Sequence, residues 1–243
     1  MKFWVALAFL SLAVGIPSLL GLIWTVISIS RHHYLTSAVA LGFAIFGFGL
    51  LVPIVLAKTG RAEVRGDYGA DGTLVRPDRK IDAISQVTAF AQVLTMSLYV
   101  IFAPLGRVDI PVPQGMRPYF LFICGAGALW GLPSLWAMLR HGGISYLRLS
   151  GKGFEIRQGL TSRCGTWSEV GGVAAGAPGR PWPMRGTLFL LGSEGRSSPS
   201  LVVDSFTPGG HALREWVRFY WSHPEHRAEL TDFRALERLR SLT

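Results

Sequence analysis

Residues 119–149 read YFLFICGAGALWGLPSLWAMLRHGGISYLRL, and the chain changes character in the middle of them. From Tyr119 to Leu139 there is no charged residue. That is about the ~20 apolar residues an α-helix needs to cross a ~30 Å hydrocarbon core. After Arg140 the pattern becomes the alternation of a half-buried strand, with Leu147 and Leu149 flanking Arg148.

Upstream of this switch three more runs have the same composition: Phe3–Ile29, Leu35–Ala57 and Val87–Leu105. Four such lengths without internal charge point to four membrane-spanning helices. The first run, preceded by Lys2, is too long for the 7–15-residue core of a cleaved leader and is expected to stay as a helix. Residues 1–141 are therefore expected to form a four-helix transmembrane domain, and 142–243 a separate folded domain.

The loop at 58–82 carries Lys58, Arg61, Arg65, Arg76, Arg79 and Lys80, whereas the other two inter-helix loops hold Arg31, Arg107 and Arg117. The positive-inside bias then puts this loop and both termini in the cytoplasm of a multi-pass plasma-membrane protein. Within the loop, Ala62–Arg65 and Thr73–Arg76 flank the turn formers Asp67, Gly69 and Asp71-Gly72, which suits either a small β-hairpin or a solvated loop.

Each span contains or borders a proline: Pro17, Pro53, Pro104 and Pro133. Gly127 and Gly131 form a GxxxG pair, and Ala40 and Ala44 a small-xxx-small pair. Small residues of this spacing let helices approach closely, within one chain or in a homo-oligomer. In the third span Ser85, Thr88, Gln92, Thr95 and Tyr99 recur at intervals of three and four, which places all five on one helix face. Such a polar transmembrane seam is either buried between helices or lines a pathway or ligand pocket.

After Arg140, Ile144–Leu149 and Phe154–Arg157 read as strands around the turn Gly151-Lys152-Gly153. Further short strands are expected at Gly165–Val170, around Gly172–Ala175, at Thr187–Leu191 and at Leu201–Asp204, with Pro/Gly-rich and Ser-rich loops at 176–186 and 192–200. The period then switches. Leu213, Trp216, Val217 and Tyr220 fall on one face of a helix. Ser222 with Glu225 has the spacing of a capping box, and a last helix is expected from Asp232 to Arg240 with Phe233 and Leu236 on its buried side.

Several short strands closed by a helix resemble a small β-barrel. The segments Tyr146-Leu147-Arg148-Leu149, Gly153-Phe154-Glu155-Ile156 and Thr166-Trp167-Ser168-Glu169-Val170 resemble the bacterial membrane-anchored proteins with a pleckstrin-homology-like (PH-like) domain. The stretch from Tyr220 to Leu230 resembles the tail of actinobacterial members. The resemblance covers residues 142–243 and implies a barrel with a C-terminal helix that binds and does not catalyse. By the same resemblance, a lipid-surface site falls on Arg148, Lys152 and Arg157 around the first hairpin. Glu155 stands where the phosphoinositide-binding pattern has a basic residue.

Composition adds limits. Arg outnumbers Lys twenty to four and Asn is absent, a usage typical of a GC-rich bacterial genome. From Arg140 onward the chain holds 14 basic and 9 acidic residues, an excess of +5 that suits either an anionic lipid surface or an Arg-rich proteome. Cys124 and Cys164 offer neither a disulfide framework nor metal spacing. His223 and His226 lack the spacing of a helical metal pair, Gly171-Gly172 has no following Lys-Ser/Thr, and no nucleophile elbow occurs. The expectation is a non-enzymatic membrane scaffold or adaptor without cofactor or metal, meeting membrane lipids and a protein partner but no nucleic acid. The alternative is a small transporter or lipid-handling protein using the seam.

Overall fold

In the computed structural model, residues 2–58, 62–175, 187–192 and 199–243 are described. The expected loop at 176–186 and residues 193–198 of the expected loop at 192–200 lie outside them. The chain divides into two compact units, Met1–Pro53 with Ile84–Arg140, and Ile54–Ala83 with His141–Thr243. The connection between the second and third spans therefore belongs with the C-terminal segment, and the expected boundary at residue 141 is one of three places where the chain passes between units.

The helical unit is built from α1 (Lys2–Ser30), α2 (Tyr34–Lys58), α3 (Arg79–Phe102) and α4 (Arg117–His141). Among the described residues these four helices are long and apolar enough to cross a membrane, which marks a membrane-embedded multi-pass protein. Phe9, Phe122, Leu129 and Trp130 are more than two-thirds exposed on the helices, a surface suited to hydrocarbon and costly in water. α3 starts eight residues before the expected Val87, because Asp78 caps it: Asp78 Oδ1 accepts the Lys80 N–H at 2.7 Å.

Small residues set the helix contacts. A Cβ at Gly42 or Gly49 of α2 would collide with the hydroxyl of Thr95 or Thr88 of α3. Gly47 meets Ser18 of α1 in the same way, and Gly21 of α1 faces the Ala40 carbonyl and Ala44. Gly127 and Gly131 of α4 lie against Met96 and Val93 of α3. Both small-residue pairs thus have a use within the chain.

The β-rich unit holds two antiparallel sheets. The first has the order β1 (Arg65–Gly69), β2 (Gly72–Arg76), β3 (Ser145–Leu149), β4 (Gly153–Gln158) and β5 (Thr161–Thr166). The second runs β6 (Val170–Ala174), β7 (Thr187–Gly192) and β8 (Ser200–Val202). The five-stranded sheet is open, with β1 and β5 as edges, so the expected closed barrel is not what the described strands form.

The loop-two hairpin is real but shifted, and it pairs outward: Val75 of β2 lies opposite Leu147 of β3. Gly72 makes this junction possible, since its φ is +110° and a Cβ there would strike the Leu149 carbonyl.

α5 (His211–Ser222) buries Leu213, Trp216, Val217 and Tyr220 completely, as its period requires. They join Leu147, Leu149, Ile156, Leu188, Leu190 and Leu201 in one core. Trp216 Nε1 donates to the Ala235 carbonyl at 2.8 Å, fastening α6 (Arg234–Ser241) to α5. Trp167 is buried too, with its indole N–H on the Ser150 carbonyl at 2.8 Å.

Three local expectations change. Gly165–Val170 is not one strand: β5 ends at Thr166, and Trp167–Glu169 is a 3-10 turn in which Glu169 Oε2 accepts the Thr166 N–H at 3.0 Å. Ser222 is the last residue of α5 and donates to the Arg218 carbonyl at 2.9 Å, so the expected cap is absent and Pro224–Thr231 is a 3-10 helix. Phe233 is 53% exposed where a buried position was expected, while Leu236 is buried.

Candidate functional site

The β3–β4 hairpin carries the three basic residues expected at a lipid surface. Antiparallel register sets Arg148 opposite Glu155 and Tyr146 opposite Arg157, on the face away from Leu147 and Ile156. The turn between the strands is closed by the Ser150 N–H and hydroxyl, both on the Gly153 carbonyl at 2.8 and 3.1 Å. That turn lifts Lys152 into solvent.

Arg148, Ser150, Lys152 and Glu155 then line a shallow depression of about 210 Å³, with Gly165 and Thr166 across from them. Glu155 changes its electrostatics. Its Oε2 lies 3.6 Å from Arg148 Nη1, and its Oε1 accepts the Tyr146 hydroxyl at 2.5 Å. Burial, with the Glu155 carboxylate behind it, pushes the Tyr146 hydroxyl above the usual phenol range.

Arg157 does not join this depression. It is 9% exposed and packed beside Tyr146, so the expected three-residue patch reduces to Arg148 and Lys152 with a carboxylate between them. One unit of net positive charge at an exposed rim can draw an anionic group weakly, each Lys or Arg near an anionic surface contributing ~1 kcal/mol. Sequence reading placed Glu155 but missed that it bridges Tyr146 and Arg148. The hairpin turn, which fixes the register, carried that signal.

The five seam residues lie on one face of α3 and point into the bundle. Thr88, Thr95 and Tyr99 are buried, and Ser85 and Gln92 half-buried. Thr88 Oγ1 donates to the Ile84 carbonyl at 2.7 Å, and Gln92 Nε2 reaches the Gly127 carbonyl at 3.4 Å. Tyr99 packs edge-on to Phe120 at 5.0 Å and Phe43 at 6.1 Å between ring centroids.

A third polar cluster escaped the sequence reading. Glu229 is buried and takes hydrogen bonds from Arg238 at 2.9 and 3.0 Å and from the Tyr220 hydroxyl at 3.2 Å, with His226 Nδ1 2.9 Å away. Arg238 lies over the Phe219 ring at 4.0 Å, and His223 stacks on that ring at 4.6 Å. These contacts pin α6 to α5. Among the described residues no group of three or more His, Cys, Asp or Glu could hold a metal ion. Cys124 is buried and Cys164 exposed, both as free thiols.

No protein-family model, curated protein or solved structure matches this chain.

Proposed function

We propose that the protein is a non-enzymatic integral membrane scaffold or adaptor with both termini cytoplasmic. Its β-rich unit acts as a PH-like domain and binds a partner protein or the membrane surface. The observation that carries this reading is the strand order β1-β2-β3: the connection between two apolar helices supplies strands to the C-terminal sheet. A unit that the chain enters from one apolar helix, leaves for the next and enters again stays tethered close to the bilayer. Even weak contacts on its surface then act at high effective concentration. The pairing of two sheets with α5 supports the PH-like comparison, and the half-buried Arg148 with the exposed Lys152 supports the binding surface.

The transporter or lipid-handling alternative would need α3 to part from α2. The close fit of Thr88 on Gly49 and Thr95 on Gly42 supports a packing role for the seam instead.

The test is a photo-reactive residue at Lys152 in intact cells. A discrete protein adduct, or an anionic-lipid adduct lost on Arg148→Gln, is expected. Absence of both, with Lys152 labelled by water-soluble probes alone, overturns the reading.

A further inference from the structure

Between α1, α2 and α4, with Met96 of α3 also lining it, runs an apolar groove of about 480 Å³; the seam's Tyr99 touches it through Phe43 and Phe120. Phe43, Phe46 and Leu50 of α2 line it together with Leu20 of α1 and Ile123 of α4. Leu20 and Ile123 are each 59% exposed, so the groove opens sideways. This volume lies within the ~300–1,000 Å³ of ordinary ligand sites.

Its length is the informative quantity. Along α1 it extends from Ala13 to Trp24, and along α2 from Ala40 to Leu50. At ~1.5 Å per residue those stretches span ~15–16 Å, about half of a ~30 Å hydrocarbon core. One leaflet is the reach of a lipid tail, whereas a packed transmembrane helix would need a groove of twice that length.

One end is closed and polar. Ile110 and Pro111 of the α3–α4 connection roof the groove there. The connection is tied down at Asp109, whose carbonyl accepts the Trp24 indole N–H at 2.7 Å and whose N–H donates to Thr36 Oγ1 at 3.2 Å. Arg117 stands at this end, three and seven residues before the groove residues Phe120 and Cys124 on the same helix face. Its Nε donates to the Val112 carbonyl at 3.4 Å, and the side chain is exposed. The loops at this end hold Arg31, Arg107 and Arg117 against a single acidic residue, Asp109.

We propose that this groove holds one acyl chain of an anionic glycerophospholipid from the adjacent leaflet, with the lipid phosphate over the Arg117 guanidinium. The apolar walls select a hydrocarbon tail, the half-bilayer length selects one leaflet, and the basic rim selects an anionic headgroup. The site is independent of whatever the β-rich unit binds.

The test uses the full chain in phosphatidylcholine nanodiscs doped with phosphatidylglycerol that carries a diazirine on one acyl chain. After irradiation, adducts should concentrate on residues 13–24 and 120–124. Ala13→Trp or Ile123→Trp, which fill the groove, should lose them. Leu19→Trp, outside the groove, should keep them. Arg117→Gln should lose the preference for phosphatidylglycerol over a phosphatidylcholine probe of the same chain. Adducts spread evenly around the bundle, or undiminished in both filled variants, overturn the proposal. So does an Ala13→Cys disulfide between two copies without lipid adduct, which would mean that a second chain fills the groove.

Discussion

The Thr73 hydroxyl donates a 2.6 Å hydrogen bond to the carbonyl of Leu230, 157 residues further along the chain, and both groups are buried. This bond joins the hairpin between two apolar helices to the segment that closes the β core. Close by, Leu236 of α6 lies over Gly66 of β1, where a Cβ would come within 2.7 Å of its Cδ2.

Thr73→Val removes the donor and strands a buried carbonyl, which costs ~1–3 kcal/mol. Chemical unfolding of the solubilised full chain should show that loss in the β-rich unit. Thr73→Ser, which keeps the hydroxyl, should recover most of it.

Trp216 is fully buried and bonded to the Ala235 carbonyl. Trp216→Ala should lower stability by ~3–5 kcal/mol or unfold the unit. A change within the error of the melting measurement would mean that α5 does not close this core.

The glycines of α2 make a prediction for the helical unit. Gly49→Ala places a methyl against Thr88, and such overpacking costs ~1–3 kcal/mol. Thermal denaturation in mild detergent should register it, and adding Thr88→Ala should relieve part of the loss. A pathway along the seam would instead tolerate Gly49→Ala in stability.

Acid should act on Glu229. Burial alone would raise its pKa, but hydrogen bonds with His226 and Arg238 more than offset that, and the carboxyl titrates below its ordinary value of 4.5. A carboxylate depressed in the folded state contributes its full stability above the unfolded value and loses it as pH falls through the lowered one. Stability followed by tryptophan fluorescence should therefore decline as the pH drops below about 4.5. Glu229→Gln should start lower and show a shallower decline.

Orientation can be read with a native thiol. Cys164 is exposed on β5, whereas Cys124 is buried in α4. If the β-rich unit is cytoplasmic, Cys164 should resist an impermeant maleimide in intact cells and react after permeabilisation. Gln114→Cys, on the α3–α4 connection, should react in intact cells. Immediate labelling of Cys164 would reverse the topology.

Local signals were the legible ones. The apolar runs, the period of α5 and the burial of Trp167 and Trp216 follow from side-chain pattern, which each segment carries within itself. The placement of β2 beside β3 could not be read that way, because the partners are some seventy residues apart and their pairing depends on tertiary context. Thr166 and Glu169 have the spacing of a helical turn start, and that local signal ends the strand expected over Gly165–Val170 at Thr166. Arg157 faces the side its alternation predicts, but Tyr146 covers it, which no single-strand pattern reveals.

The position of β2 also bears on portability. A gene cut at Gly142 to export the C-terminal segment as a cassette would leave the Leu147–Leu149 flank of β3 as a raw edge, because the strand that shields it is encoded between the second and third spans. Unshielded apolar edges invite pairing with other chains. The segment therefore shares a strand with the stretch that links two apolar helices, and exchange between proteins would have to move that stretch with it.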